Sequence, residues 1–177
     1  WWSGSENDVL PAGDAANGYK ALTFHGVGDD FPVFDDIKTH VVDKGLAAGS
    51  GDQIGTVLYN RGLYAAMLAA EAAKTAQGIH GTADITAAMM RDGMEALEMS
   101  EEKMAELGLP GFGPAFNVSC ENHGGPGLVG MTQWDASAKE WTLISGFSPS
   151  DMDVIQPLID EDSAAYASES GITPACN

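Results

Sequence analysis

IGTVLYNRGLYAAMLAAEAAKTAQ, residues 54–77, decides the fold class, because it is the strongest helical pattern in the chain. Its many alanines favour a helix and permit close packing against a neighbour. The stripe expected to face the core consists of apolar residues at helical spacing: Leu58, Leu63, Met67 and Ala70. Gly78 is expected to end the helix. Because strand patterns occur on both sides of this helix, the sequence predicts an α/β protein.

Shorter elements are predicted on both sides of the long helix. Before it, residues 18–24 alternate like a strand, and residues 32–44 have a helical period. After it, we expect two helices over 84–97 and 100–108, three short strands within 114–120, 127–135 and 139–147, and a final helix over 152–170. The last two strands are expected to form a hairpin across residues 135–138. Four or five strands are few for a complete doubly wound sheet.

Charge and hydropathy exclude several function classes. The 177 residues include 26 Asp and Glu but only eight Lys and Arg, which gives a formal net charge of -18. Such a field repels phosphate backbones, so nucleic acid is not an expected partner. The longest apolar run is broken by Glu71 and Lys74, and no segment is expected to cross a membrane. No P-loop motif is present, and no cofactor is expected.

Two small clusters carry residue types used in catalysis or metal binding. In CENHGG, Cys120 and His123 are close enough in sequence to form a thiol and imidazole pair, but they match no zinc motif. A structural cysteine beside a turn is favoured over a catalytic one. His25 with Asp29 and Asp30 lacks the alternating oxygens of a calcium loop, so a solvated turn is expected there. We expect no metal site and no catalytic residue.

Three stretches together are similar to a known family. They are WWSGSENDVLPAGDAANGYKAL, YNRGLYAAMLAAEAAKTA, and FNVSCENHGGPGLVGMTQWDASAKEWTLISGF followed by AAYASESGITPAC. The most specific features are YNRG opening an alanine-rich helix and the order Cys, His, QWD and Trp before SGITPAC. In order and spacing, these motifs resemble the C-terminal half of the type I periplasmic solute-binding proteins of ABC transporters, in the branched-chain amino acid binding family.

The resemblance implies a two-lobe α/β architecture with mostly parallel sheets flanked by helices, of which this chain supplies only the C-terminal half. Residues 1–44 would belong to the second lobe, residues 45–125 to the first lobe, and residues 126–177, with the final helix and tail, to the second lobe again. The implied partners are a small solute, an ABC permease in the membrane, and an N-terminal half or companion chain of the same protein. The implied location is the periplasm.

The resemblance also implies that six residues contact the solute: Asp14, Trp2, Ser3, Glu6, Tyr59 and Asn60. Asp14 matches a position where relatives place a carboxylate near the α-amino group of the ligand, and Asp replaces a longer Glu there. The three residues near the start of the chain would follow the carboxyl end of a strand, where open α/β sheets place ligands. The other two would begin the long helix, whose N-terminus favours a carboxylate.

A disulfide between Cys120 and Cys176 is implied by the oxidising periplasm, and it would stabilise the fold by about 3 to 4 kcal/mol. The expected function is the capture of a small polar solute, such as an amino acid or amide, without chemistry. Two alternatives remain open at this point. One is an extracellular ligand-sensing domain of the same fold, and the other is an amidase-type hydrolase that uses Cys120 with His123.

Overall fold

The computed structural model describes residues 4–173 and 176, which contain helices and mostly short strands. Trp2 and Ser3, two residues predicted to contact the solute, lie outside the described residues. The helices are α1 (Glu6–Val9), α2 (Pro32–Ile37), α3 (Val57–His80), α4 (Ala87–Glu95), α5 (Glu101–Glu106) and α6 (Met152–Ser170). The strands are β1 (Lys20–Thr23), β2 (Glu98–Met99), β3 (Phe116–Asn117), β4 (Leu128–Asp135), β5 (Glu140–Leu143) and β6 (Ser148–Pro149). A mixed α/β protein is therefore confirmed.

All strand pairs of the described residues are antiparallel. β4 pairs with β1, β5 and β6, while β2 and β3 form a separate two-stranded sheet. β4 and β5 form the predicted hairpin, whose turn is closed by Ser137 and Ala138 N–H groups donating to Asp135 Oδ1 at 2.8 and 3.0 Å. The prediction of mostly parallel sheets is wrong for this part of the chain. One reason is that so short a turn permits only antiparallel pairing, since parallel strands need a long crossover.

The long helix α3 begins and ends close to the predicted positions, but the face that it buries only partly matches the predicted stripe. The side chain of Thr56 accepts a hydrogen bond from Tyr59 N–H at the N-terminus, and Gly81 takes a left-handed conformation at the C-terminus. Leu58 is 44% exposed and Ala70 is exposed, whereas Leu63 and Met67 are half-buried and pack against buried apolar residues, so the predicted stripe is confirmed only in part. The residues that α3 buries are Val57, Asn60, Tyr64, Glu71, Ala72 and Ala76. Two of them are polar, and a pattern based on apolar residues alone misses them.

Glu71 is tolerated on the buried face because two lysines neutralise it. Its carboxylate lies 2.6 Å from Lys74 Nζ and 3.2 Å from Lys103 Nζ. Burial opposes ionisation, but hydrogen bonds from both lysines hold the pKa of Glu71 below its ordinary value. Since Lys103 belongs to α5, this ion pair also links α5 to α3.

Close contact between α3 and α4 depends on a glycine. A Cβ atom at Gly93 would lie 2.7 Å from the Cβ of Ala76 and would collide with the carbonyl oxygen of Ala72. Small residues on both helices let the backbones approach closely enough to bury Gly93.

Two buried apolar clusters support the fold. The first contains residues of α2, α3, β2 and α5 and of the loops before β2 and after α5: Phe34, Tyr64, Leu97, Met99, Met104, Leu109 and Phe112. The second lies between the N-terminal segment and the hairpin: Val9, Ala16, Val57, Trp134 and Trp141. α3 contributes to both, through Tyr64 and Val57. The assignment of residues 1–44, 45–125 and 126–177 to two lobes stays a prediction.

The predicted disulfide is confirmed, with Cys120 bonded to Cys176. It ties the segment that follows α6 to the connection between β3 and β4. Within residues 4–173 and 176, no helix is long and apolar enough to cross a membrane.

Candidate functional site

The N-terminus of α3 is bound by the carboxylate of Glu6, which lies 51 residues earlier in the chain. Both Glu6 oxygens accept from Val57 N–H, at 3.1 and 3.2 Å. The first N–H groups of a helix lack partners within it and favour negative charge. The sequence predicted that this helix end favours a carboxylate, and the structure brings Glu6 to it. The Val57 N–H group is therefore satisfied by the protein itself.

Glu6 is held in place by the short helix that contains it. The Asp8 carboxylate accepts from the N–H groups of Gly4 and Ser5, both at 2.9 Å, and from Ser5 Oγ at 2.8 Å. The hydrogen bonds from Ser5 lower the pKa of Asp8. Val9 anchors the other end of α1 in the second apolar cluster. With both ends fixed, Glu6 is directed across to α3.

A cleft of about 370 Å³ opens beside the Glu6 carboxylate. Its charged lining residues are Glu6, Asp29, Asp30, Lys139 and Glu140, and Trp141 forms part of its wall. Lys38 lies nearby and donates to Asp29 at 2.8 Å, and this hydrogen bond lowers the pKa of the Asp29 carboxyl. Carboxylates outnumber cations in the lining, so the cleft favours a ligand with a cationic group or with N–H donors. Gly28 and Gly55 also line this cleft, which is called the Glu6 cleft below.

Asn60 is fully buried and supports the wall of the Glu6 cleft from behind. Its Nδ2 donates to the carbonyl oxygens of Gly28 at 2.9 Å and Gly26 at 3.3 Å. These bonds attach the segment that leaves β1 to α3. Asn60 Oδ1 has no hydrogen-bond partner among the described residues. Asn60 thus holds backbone in place, and its predicted contact with a solute stays a prediction.

Tyr59 and Asp14 lie away from the lining of the Glu6 cleft. The Tyr59 ring packs at 6.3 Å from the ring of Phe34, at the edge of the first apolar cluster. Asp14 is exposed within a 3₁₀-helical turn over Leu10–Ala16. Of the predicted solute contacts in the described residues, the structure therefore brings only Glu6 to this cleft, and the proposed roles of Asp14 and Tyr59 stay predictions.

His25 differs from its sequence prediction, because it is fully buried and does not belong to a solvated turn. Its Nδ1 lies 2.8 Å from the carbonyl oxygen of Gly26, and its ring stacks on Phe112 at 5.6 Å. Burial lowers the pKa of His25. Asp29 and Asp30 are exposed as expected. The ring that stacks on His25, Phe112, is distant in sequence, so no local pattern could reveal this contact. No group of three metal-ligating side chains occurs in the part of the chain that the structure describes.

The Cys120 and His123 pair is not arranged as a nucleophile and base. Cys120 Sγ is bonded to Cys176, and His123 Nε2 lies 3.3 Å from the carboxylate of Glu95. A thiolate is needed for attack on an amide, and a disulfide sulfur cannot supply one. The hydrolase alternative therefore has no support in this oxidised form.

Comparisons with known proteins relate the chain to ABC transporters. No family model matches it, and no curated protein matches it. A solved ABC transporter permease from the Pseudomonas fluorescens group is 38% identical, with a TM-score of 0.90 over 99% of this chain and 42% of that chain. A branched chain amino acid ABC transporter from Thermus thermophilus with bound valine is 19% identical, with a TM-score of 0.62 over 85% of this chain and 38% of that chain.

These similarities show that the chain shares its fold with part of two solved ABC transporter proteins. The fold is therefore similar to that of a periplasmic binding protein, as the sequence motifs implied. The chain spans less than half the length of either structure that it matches.

Proposed function

We propose that the chain is part of an extracytoplasmic solute-binding protein of an ABC transporter. It captures a small polar solute, an amino acid or an amide, together with a companion polypeptide that completes a second lobe. The loaded protein delivers the solute to a membrane permease, and the chain itself catalyses no reaction. The disulfide between Cys120 and Cys176 fits an oxidising location such as the periplasm.

The observation that carries the proposal is the Glu6 cleft. Its negative lining suits the ammonium group of an amino acid or the N–H donors of an amide, and charge-assisted hydrogen bonds would orient that group. Glu6 is both fixed by its bonds to Val57 N–H and exposed to the cleft. Because Glu6 already binds the helix N-terminus, the carboxylate of an amino acid would be held by the companion polypeptide instead.

The test measures the thermal unfolding of the purified chain with millimolar L-valine and with isovalerate, which has the same carbon skeleton but no ammonium group. A ligand that binds only the folded chain raises the unfolding midpoint. We expect L-valine to raise the midpoint and isovalerate to leave it unchanged.

A pair of matched variants tests the assignment of the carboxylate. Glu6→Gln keeps the shape of the side chain but removes its charge, and we expect it to abolish the shift caused by L-valine. Asp84→Asn makes the same change at an exposed position outside the cleft lining, beyond the opposite end of α3, and we expect it to keep the shift. An unchanged response in Glu6→Gln, or a response to isovalerate equal to that to L-valine, contradicts the proposed site.

A further inference from the structure

His25 lies where the chain leaves β1 and leads into one wall of the Glu6 cleft. β1 ends at Thr23, and residues 28–30 line the cleft. Residues 25–30, called the wall segment below, connect the two. His25 is fully buried, whereas residues 28–30 are exposed. The wall segment therefore runs from the interior of the protein to the candidate solute site.

One carbonyl group joins the His25 ring to Asn60 on α3. The Gly26 oxygen lies 2.8 Å from His25 Nδ1 and accepts from Asn60 Nδ2 at 3.3 Å. Asn60 Nδ2 also donates, at 2.9 Å, to the carbonyl oxygen of Gly28, which belongs to the cleft lining. A carbonyl oxygen can only accept, so Nδ1 carries the proton of the neutral ring. The neutral ring and Asn60 therefore hold the wall segment together.

A protonated ring does not suit this position. The Nε2 atom of His25 is buried and has no hydrogen-bond partner in the part of the chain that the structure describes. The ring stacks on Phe112 at 5.6 Å and packs edge-on against Phe24 at 4.9 Å, and both of these neighbours are apolar. Protonation adds an N–H donor and a positive charge at Nε2, and burial of an unpaired charge is costly. The charged ring is therefore favoured only where Nε2 reaches water.

The ionisable groups around His25 do not stabilise its protonated form. Burial lowers the pKa of His25, and the positive charge of Arg61 on α3 lowers it further. Tyr64, on the same helix, packs against Phe112, and burial raises the pKa of Tyr64 to about 12, so the phenol stays neutral. The neighbours from β1 and from the loop after α5, Thr23 and Phe112, do not ionise. Within residues 4–173 and 176, no carboxylate pairs with His25.

Glycines give the wall segment backbone freedom next to a tightly packed point. Gly28 has a φ of 77°, and a Cβ atom there would meet open space. At Gly26, by contrast, a Cβ atom would lie 2.7 Å from the Phe31 ring, and the N–H group donates to the carbonyl oxygen of Phe112. Outward rotation of the His25 ring would break the contacts at Gly26 and free Gly28 to move, since glycine adopts many backbone conformations. The cleft would then lose this wall.

We propose that His25 is a positioning residue through which pH controls solute binding: the neutral ring holds the wall of the Glu6 cleft, and protonation in mildly acidic solution releases it. The inference rests on the proposed function, because the solute site is the one named there. Histidine in water titrates at about pH 6.5, so protons favour the released wall below that pH. Solute is therefore held at neutral pH and released as the pH decreases.

A pH titration of the chain without solute, followed by two-dimensional ¹H–¹⁵N NMR, tests the release of the wall. The probes are the amide signals of Gly26 and Gly28. The control is Trp134, whose N–H group donates to the carbonyl oxygen of Tyr19 at 2.9 Å. Between pH 7 and about pH 5.5, we expect the two glycine signals to shift and the Trp134 signal to stay in place. Carboxyl groups in peptides titrate at about pH 4, below this range.

Calorimetry with L-valine measures the effect on binding. We expect the affinity at pH 5.5 to be weaker than that at pH 7 by about threefold or more, because only the fraction of chains with the wall in place can bind. His25→Asn keeps a neutral N–H donor close to the position of Nδ1 but cannot be protonated, so it should bind equally at both pH values. His80→Asn is the matched control, because it removes an exposed histidine at the opposite end of α3 and should keep the pH dependence.

Three results would overturn the inference. The unmodified chain binds L-valine with equal affinity at the two pH values, His25→Asn keeps the pH dependence, or the Trp134 signal shifts together with the glycine signals, which means that the chain responds as a whole. The NMR titration uses the unmodified chain, so it tests the release even if His25→Asn does not fold. Glycine shifts without any binding of L-valine contradict the proposed function alone.

Discussion

Replacing Asn60 by alanine separates a structural role from a solute contact. The change removes a buried hydrogen bond to the carbonyl oxygen of Gly26 and a partly buried one to that of Gly28, each worth about 1 kcal/mol. It also leaves a small cavity that costs about 1 kcal/mol more. Gly26 keeps its contact with His25 Nδ1 and Gly28 is exposed, so neither carbonyl is left without a partner or water.

Two effects of the same change oppose the loss. Alanine favours a helix over asparagine by roughly 0.6 kcal/mol, and the unpaired Oδ1 atom disappears. The expected net result is a decrease of about 2 kcal/mol in the free energy of unfolding. In a chain of this length, that corresponds to a midpoint lower by roughly 4 to 8 °C.

Urea and thermal unfolding followed by circular dichroism measure the change. Asn17→Ala is the control, because the exposed Asn17 accepts one hydrogen bond from Ala136 N–H, and its loss should cost less than about 1 kcal/mol. A stability within about 0.5 kcal/mol of the unmodified chain, together with loss of the response to L-valine, would refute the structural role. Asn60 would then act by contacting the solute.

Three further changes test the packing, the buried histidine and the disulfide. Gly93→Ala should lower the free energy of unfolding by about 2 kcal/mol or more, because the new methyl group collides with α3. Gly78→Ala is the control: it lies in an open helical position, and it should raise the free energy of unfolding by about 0.5 to 1 kcal/mol. Both are measured by urea unfolding. Burial lowers the pKa of His25, so the unfolded chain binds more protons than the folded chain below about pH 6.5. The free energy of unfolding should therefore fall as the pH decreases from about 6.5 toward the folded-state pKa. His25→Gln should flatten that part of the plot of stability against pH. Reduction of the bond between Cys120 and Cys176, 56 residues apart, should cost about 4 kcal/mol, and an unchanged unfolding midpoint in reductant would contradict it.

Local signals predicted the elements better than the packing. Turn residues and caps identified α3, the β4–β5 hairpin and α6, because those features depend on nearby residues. The buried face of α3 was predicted only in part, since alanines on all sides make several faces equally suitable. Asn60 and Glu71 are buried because distant carbonyl groups and lysines satisfy them. The predicted hairpin already implied antiparallel pairing of β4 and β5, but the pairing of β1 with β4 joins segments far apart in the chain and was beyond local reasoning.

The candidate site was predicted in part. Glu6 and the N-terminus of α3 were both identified from sequence motifs, but their direct contact joins residues 51 positions apart. The acidic lining from Asp29, Asp30 and Glu140 was missed, since these residues converge only when the segment after β1 and the hairpin fold together. The burial of His25 was not predicted either, because it depends on contact with Phe112, which is distant in sequence.

The measurement that tests the central claim most directly is a two-dimensional ¹H–¹⁵N NMR titration of the chain with L-valine, which detects even weak binding. If the Glu6 cleft binds the ammonium group, the amide signals of Val57, Gly55 and Gly28 should shift in a saturable manner, and Glu6→Gln should remove those shifts. Saturable shifts confined to other regions, such as the turn that contains Asp14, or no shifts at all, would contradict the account.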